Sequence, residues 1–479
     1  MSTFTHEFNL DINHFQYRKL NIKFNCLQEL FNTVLAESFH RLRQLKLDPD
    51  YSVAIQLYKS NKSKAKKIFQ DLDKKYKFKK NLLQTFATNI KNNTYMKNHL
   101  DGDTVQVISD RAFNAVNDYR FSKRGKPRFK SKHSIKTISG KKNACIMFTN
   151  GKVKWKDLLL NVIYDTKDKH GIEAHALNKK VKYCRIKRKL FNNKFKYYLQ
   201  LVVEGKPKLK FQSPNNEVGI DIGVSTIAAV SKQQAILKPF CFELENIQND
   251  ITKIQRKISR SLLLNNPQNY QDGKIKKGNK KWFKTKKCLR LQNELANLYR
   301  KQKDKRQYLH NCLANEVLKL GNIIKIEKNN YKAWQKGLFG KTIGFRAPSN
   351  FVTTLKRKAE SAGGEWYDIN AYQAKLSQLC HVCEKHNKKT LSQRIHTCCE
   401  ITQQRDLYSA LLALYYKENS VDTDSLRNEY KSLDTVLNTA VLTLTKLQVE
   451  GNLPSSLGLT EIEKFAVESS GGSLIKPVV

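Results

Sequence analysis

Acidic side chains are scarce: Asp and Glu number 42 in 479 residues against 88 Lys and Arg, a formal net charge of +46. A compact chain with that excess repels itself and is best tolerated against a polyanion such as nucleic acid, which argues against a small-molecule enzyme. No run approaches the ~18 consecutive apolar residues of a membrane span. Met1–Leu20 has neither a signal-peptide core nor an Arg/Ser-rich transit pattern. The sequence contains no internal repeat. Of the ten cysteines, six (Cys26, Cys145, Cys184, Cys241, Cys288, Cys312) are scattered singly and four fall between Cys380 and Cys399, which reads as reduced thiols plus one metal site in a soluble, cytoplasmic protein. What is present, 40% hydrophobic residues with 23 Phe and 20 Tyr, is enough for real cores in roughly two to four domains and excludes wholesale disorder.

The charge is uneven. Residues 420–479 carry eight acids and five bases, a net of −3, so residues 1–419 carry +49 and hold the polyanion contacts. The tail is expected to be helical over Leu433–Val449 and loose beyond Gly451.

Apolar positions Ile68, Leu72 and Tyr76, then Phe78, Leu82, Leu83, Phe86 and Ile90, recur at helical steps within Lys runs and predict two basic amphipathic helices. Similar basic runs return at 123–142, 179–196 and 274–290. Tyr76, Phe78, Trp155 and Phe195, interleaved with Lys, are candidates for base stacking, core packing being the commoner role for such residues. From Gly125 the pattern turns to short strands: Cys145–Phe148, Val153–Trp155, and RIKRKL, an Asn192-Asn193 turn and KYYLQLVVE as a hairpin, together a small antiparallel β unit. Val218–Val230 reads as a buried strand turning back on itself, and Ile251–Leu320 as two helical arms around a Lys-rich break at 267–287. Ile323–Ile326 is a second buried strand, Phe351–Ala362 a helix stopped by Gly363-Gly364, and Glu365–Ile369 another strand, an alternation that suits an α/β domain.

Three acids stand out. Asp221 in VGIDIGVST and Glu327 in IIKIEKNN lie at strand positions flanked by apolar residues, where a lone charge costs several kcal/mol unless paired or holding a cation. Asp406 in QRDLYSALLALYY opens an amphipathic helix, where the helix dipole alone would favour it by about 0.3–1 kcal/mol. Singly each suits a structural role. Jointly, two strand acids and one helix acid are what two-metal phosphodiester hydrolysis requires, with cations about 3.5–4 Å apart, and hard carboxylates favour Mg2+ or Mn2+.

Cys380-His381-Val382-Cys383 is a C-x2-C knuckle followed by His396, Cys398 and Cys399 in a short polar stretch. Two ligand pairs make a closed structural Zn2+ site, stapling a segment too polar to fold alone. Cys380, Cys383, His396 and Cys399 keep knuckle spacing in both pairs. Cys398 in place of His396 would make a tighter bite.

With these residues in view, the chain resembles the TnpB proteins encoded by insertion sequences and their descendants, the compact type V CRISPR effector nucleases. GIDIGVSTIAAVS at 219–231, IIKIE at 323–327 and QRD at 404–406 are similar to the family's three RuvC segments. Asn350–Cys383 resembles its helix, Gly-Gly, strand and knuckle run, and RAFNAVNDYRFSKRGKPRFKSK at 111–132 its pre-barrel segment. The likeness spans residues 1–418. It implies a multidomain α+β protein: an N-terminal helical lobe with a small antiparallel β-barrel, then a RuvC-like (RNase H-type) α/β nuclease domain with an inserted zinc knuckle. The expected boundaries are a nucleic-acid-binding lobe at 1–215 with a helical insert over about 15–120, and a nuclease core at 216–376 with a helical hairpin over about 245–320. The knuckle follows at 377–403, the last nuclease segment at 404–420 and a tail of unknown role at 421–479. Asp221, Glu327 and Asp406 become the catalytic Mg2+ ligands, with guide RNA and double-stranded target DNA as partners and association with the nucleoid when acting. Lys328 stands where the family usually has an acid, Glu384 and Glu400 where it has glycines after each knuckle, and Tyr408 where it has Asn. Such changes around retained ligands lower metal affinity or rate by about 10- to 100-fold without changing mechanism. A catalytically weak or inactive guided DNA-binding regulator or transposition accessory, a type V CRISPR effector, and a transposase using the same acids for strand transfer are the alternatives.

Overall fold

In a computed structural model, residues 2–141, 145–390, 392–448 and 457–458 are described, without the side chains of 445–448. The chain divides into two compact units, Met1–Lys210 and Phe211–Val479.

The first unit is built on a seven-stranded sheet of order β2-β6-β7-β1-β5-β4-β3, antiparallel throughout. Its strands are β1 (Thr3–Asp11), β2 (Thr137–Ser139), β3 (Ile146–Thr149), β4 (Lys152–Trp155), β5 (Leu158–Ile163), β6 (Val181–Phe191) and β7 (Lys194–Glu204). Edge strand β3 returns to β6, where the Phe148 N–H meets the Cys184 thiol, so the sheet curls into a barrel. Asn192 and Asn193 take the left-handed conformation (φ 43° and 66°) that a two-residue hairpin turn demands. Between β1 and β2 the chain inserts helices α1 (His14–Leu47), α2 (Pro49–Ser60), α3 (Lys62–Lys75), α4 (Lys80–Asn92) and α5 (Gly102–Arg120). Asn13 and Gln16 cap α1 reciprocally. Helix α6 (Ile172–Leu177) precedes β6. Phe78, Trp155 and Phe195 are buried in the core of this unit, and the Tyr76 hydroxyl donates to Asp48 at 2.8 Å. Core packing therefore replaces base stacking at these positions. The basic runs behave differently: Lys59, Lys62, Lys64, Lys66 and Lys67, and likewise Lys123, Arg124, Lys126, Arg128, Lys130 and Lys132, are exposed.

The second unit holds a five-stranded mixed sheet of order β10-β9-β8-β13-β14. Strands β8 (Glu217–Ile222), β9 (Thr226–Val230) and β10 (Ala235–Pro239) form an antiparallel meander. Helices α7 (Leu244–Asn265) and α8 (Lys286–Leu320) follow, with a small hairpin, β11 (Tyr270–Gln271) and β12 (Lys274–Ile275), in the Lys-rich break between them. Strand β13 (Ile323–Glu327) then lies parallel to β8. Helices α9 (Tyr331–Lys336), α10 (Gly340–Arg346) and α11 (Pro348–Ser361) lead to β14 (Trp366–Ile369), parallel to β13. Beyond the short helix α12 (Ala371–Ala374) come the cysteine segment with hairpin β15 (Ile395–Cys398) and β16 (Ile401–Gln404), helix α13 (Arg405–Leu414), a two-residue pair β17 (Tyr416–Lys417) and β18 (Ser420–Val421), and helix α14 (Thr423–Gln448).

Both faces of the sheet are covered, which is why β8 and β13 read as nearly continuous apolar runs. Val218, Ile220, Ile222, Ile324 and Ile326 pack on α8 and α11, whereas Ala228, Val230 and Leu237 pack on α13 and α14. The tail helix starts at Thr423, ten residues before the expected Leu433, because Leu426, Leu433, Leu437 and Leu444 bury one stripe in that second core. The loose segment expected beyond Gly451 lies outside the described residues apart from Leu457 and Gly458. Among the described residues no helix is long and apolar enough to cross a membrane.

Candidate active site and cysteine centre

Strand periodicity sets the carboxylate site. Residues alternate faces along β8, so Glu217, Gly219 and Asp221 share the face opposite Val218 and Ile220. On that face α13 crosses β8 at near backbone contact: a Cβ on Gly219 would stand 2.1 Å from the Ala410 carbonyl and 2.3 Å from the Leu414 N. Any other residue there would push the helix off the sheet. Asp406 lies one helical turn before Ala410, which brings the first turn of α13 beside Asp221. The parallel register pairs Ile220 with Ile326, so Glu327 follows on β13 alongside Asp221. Lys325, two residues back on the same face, donates to the Leu414 carbonyl at 2.9 Å and pairs with Glu217 at 3.0 Å. The helix thus meets acids at its N-terminal end and a cation at its C-terminal end, the sense its dipole favours.

Each acid is held by its surroundings. The Gln404 side chain caps α13 by accepting the Leu407 N–H at 2.8 Å, and Thr226 at the start of β9 donates its hydroxyl to Asp406 Oδ2 at 2.7 Å. Arg405 Nε stands 3.6 Å from Asp406 Oδ1 while its Nη1 donates to the Thr390 and Gln393 carbonyls. The buried Arg346 donates to the Val224 carbonyl at 3.1 Å and pairs with Glu245, fixing the turn between β8 and β9. Burial, then the charges of Asp406 and Glu327, push the Asp221 carboxyl well above its usual range, with Arg405 opposing. Burial likewise raises Glu327, opposed by the Leu376 N–H that donates to it. Carboxyls so frustrated could share a cation.

The cysteines make the second cluster. The sulfurs of Cys380, Cys383, Cys398 and Cys399 all lie within 4.8 Å of one another, the one such group of three or more candidate ligand atoms among the described residues. The Cys383–Cys398 and Cys398–Cys399 sulfur separations are 3.7 and 3.6 Å. A tetrahedron with Zn–S bonds of about 2.3 Å has edges of about 3.8 Å, so the four thiols fit a zinc ion and could hold one. The Lys385 N–H draws the Cys383 thiol down to about 7. His396, expected in this set with Cys398 as the substitute, is instead outside it. Cys398 and Cys399 share the tip of the β15–β16 hairpin, where Cys399 and Glu400 turn the chain at φ 50° and 65°. His396 sits two residues back, about 6–7 Å along the strand, fully buried and stacked on Tyr408 with ring centroids 4.1 Å apart. Glu384 and Glu400 both adopt the left-handed conformation (φ 60° and 65°), at a cost of roughly 1–2 kcal/mol each for residues other than glycine.

The side chain that joins the two clusters is Tyr408. It is 1% exposed on α13, accepts the His381 N–H at 3.1 Å and meets His381 Nδ1 at 2.8 Å. The His381 ring lies against Tyr430 of α14 at a centroid distance of 4.7 Å, tilted by 39°, and Arg427 pairs with Glu384 at 2.5 Å. Thr226 and the α14 residues Arg427 and Tyr430 carry no motif of their own; only the tight return from Asp221 to Thr226 is visible in VGIDIGVST.

No protein-family model matches the chain, and no curated protein does. Its structure is similar to that of Cas12f1 in a complex with single-guide RNA and target DNA, at 13% identity and a TM-score of 0.45 over 86% of this chain and 98% of that one. A CRISPR–Cas12f ternary complex aligns at 13% identity and a TM-score of 0.27, over 85% of this chain and 86% of that one.

Proposed function

We propose that this protein is an RNA-guided DNA endonuclease of the TnpB kind, transposon-associated, that cuts DNA complementary to a bound guide RNA in a RuvC-like, RNase H-type site. What supports the reading is the placement of Asp221 and Glu327 on adjacent parallel strands and of Asp406 at a helix N-terminus, with a half-buried Asp221 raised by desolvation and by the charges of the other two. The sheet supports it: three antiparallel strands followed by two parallel to the first is the order of RNase H-type nucleases.

Mg2+ or Mn2+ bound by the three acids would polarise the scissile phosphodiester and activate water. The protein's share is positioning. Thr226 fixes one Asp406 oxygen, the Leu376 N–H orients Glu327, and the close crossing at Gly219 sets the separation of helix and strand. The four cysteines are a structural Zn2+ centre rather than a catalytic one, since all four ligands come from the chain and leave no open position. The +49 of residues 1–419, displayed on exposed Lys runs, suits the backbones of a guide RNA and a double-stranded target, sequence being read by base pairing. Retention of the three acids, each with its own support, speaks against a regulator that no longer cuts.

The reading is tested by purifying the protein with its native flanking DNA co-expressed and sequencing the RNA that copurifies. A single defined scaffold with a variable end is expected, and the complex should cleave plasmids carrying the matching target. Absence of cleavage in Mg2+ or Mn2+ by RNA-loaded protein would overturn it.

A further inference from the structure

The Lys-rich break between α7 and α8 belongs to neither cluster, and it is built rather than loose. Asn266, fully buried just past α7, accepts the Phe283 N–H at 2.6 Å and donates to the Phe283 carbonyl at 2.9 Å and the Leu262 carbonyl at 3.0 Å. Asn269, also buried, donates to the Lys281 carbonyl at 2.8 Å. Two enclosed side-chain amides therefore satisfy the backbone of 281–283 as a neighbouring strand would. Trp282 lies edge-on against Tyr270, with ring centroids 5.9 Å apart at 82°. Thr285 caps α8 by accepting the Cys288 N–H at 3.1 Å, and Cys288 packs with Ile254 and Ile258 of α7. The residue held at the centre of these contacts is Phe283, and its ring is 66% exposed. Leu264 and Ile275 of the same arm are exposed as well. Large apolar side chains presented together on a fixed backbone mark a surface that a partner covers.

The surrounding charge says which partner. Tyr270–Arg290 carries nine Lys and Arg against the single acid Asp272. Lys274, Lys276, Lys277, Lys281, Lys286 and Lys287 are all exposed, and none makes an ion pair among the described residues. A second copy of this surface would be repelled, whereas a polyanion is drawn to it. In a duplex the flat faces of the bases are covered by their neighbours, so an exposed ring among lysines matches an unpaired base between phosphates.

We infer that Phe283 and the lysines around it are a docking surface for an unpaired stretch of the guide RNA, the ring stacking on one base and the ammonium groups meeting the flanking phosphates. This rests on the nuclease reading, under which RNA is the resident partner and DNA a transient one, and a lasting partner is what a permanently exposed ring calls for.

The test uses the full chain stripped of nucleic acid, with the copurified guide RNA added back. Phe283→Ala should weaken RNA binding roughly 5- to 100-fold at fixed salt, and Phe283→Trp should restore it. The thermal midpoint of the RNA-free protein should not move in either variant, since the ring is exposed. Lys286→Gln combined with Lys287→Gln should instead reduce the slope of log affinity against log salt by about 1.4. Chemical probing of the bound RNA gives a second readout: one unpaired base protected by wild type should become reactive with Phe283→Ala. RNA affinity and probing pattern indifferent to Phe283 would overturn the assignment and leave the nuclease reading intact. So would a Phe283→Ala defect confined to DNA binding by the RNA-loaded complex, or an RNA-free dimer that Phe283→Ala dissociates. A protein that neither copurifies with nor binds RNA from its own flanking DNA would overturn both.

Discussion

Two clusters of ionisable side chains in the Phe211–Val479 unit lean on the same helix, α13, and are built in opposite ways. At its start Asp406 is buried and Asp221 and Glu327 are half-buried, and desolvation, then the charges of Asp406 and Glu327, raise Asp221 well above the carboxylate range. Two residues on, Tyr408 reaches a knuckle whose four thiols already stand close to the edges of a tetrahedron. The first cluster offers hard oxygen atoms from sheet and helix. The second uses sulfur from two turns and closes on itself. The difference teaches that packed sheet and helix fix the carboxyls, whereas in the short polar cysteine segment a bound ion would itself supply the rigidity.

That contrast can be broken one side at a time. The largest effect is expected from Glu327→Ala, which should reduce guided cleavage to background in a plasmid assay while leaving copurified RNA and zinc content unchanged. Gly219→Ala comes next: the added methyl would lie inside the Ala410 and Leu414 backbone, so a loss of about 3 kcal/mol or more is expected in chemical denaturation, together with loss of cleavage. Cys398→Ser should lower zinc content from one ion per chain to near none by atomic absorption, and His396→Ala should keep one; the opposite pattern would restore His396 as the ligand. Tyr408→Phe should cost about 1–3 kcal/mol, because the His381 N–H loses its buried acceptor. It should also slow cleavage if the knuckle helps set Asp406.

The smallest effect concerns pH. A carboxyl whose folded pKa is raised contributes stability below its unfolded pKa and loses it as pH climbs toward the folded one. For Asp221 that window opens near pH 4 and extends upward, since its folded value lies well above the ordinary one. In chelator, Asp221→Asn should therefore melt higher than wild type at pH 7, with the gap closing toward pH 4, while being inactive. A wild type that gains stability from Asp221 as pH rises in chelator would contradict the frustrated-cluster picture.

How far these features were legible in the sequence follows from the range of the interactions. Local periodicity was sufficient for the hairpin at Asn192-Asn193, the return of Val218–Val230 on itself, the Ile323–Glu327 strand and the helix ended by Gly363-Gly364. Pairing across about 200 residues was not: β1 joins β7, Phe4 opposite Val203, and nothing in Thr3–Asp11 names its partner. Asp221 and Glu327 could be singled out because an acid among apolar neighbours is anomalous on its own line of sequence, and Asp406, at the start of an amphipathic helix, only in combination with them. Thr226 is an ordinary residue in ordinary surroundings, and only its hydrogen bond to Asp406 gives it a role. The choice between His396 and Cys398 was hidden for another reason: ligand spacing counts residues, whereas the left-handed turn at Cys399-Glu400 decides which side chains face the knuckle.

The central claim is that guide-directed DNA cleavage is performed by the three acids on β8, β13 and α13. Its most direct test is a single assay in Mg2+: linearisation of a plasmid carrying the sequence matched to the copurified RNA, by wild type and by Asp221→Ala loaded with the same RNA. The account predicts linear product from the wild type alone and only on the matched plasmid. Equal cutting by Asp221→Ala, or cutting that ignores the RNA sequence, would contradict it.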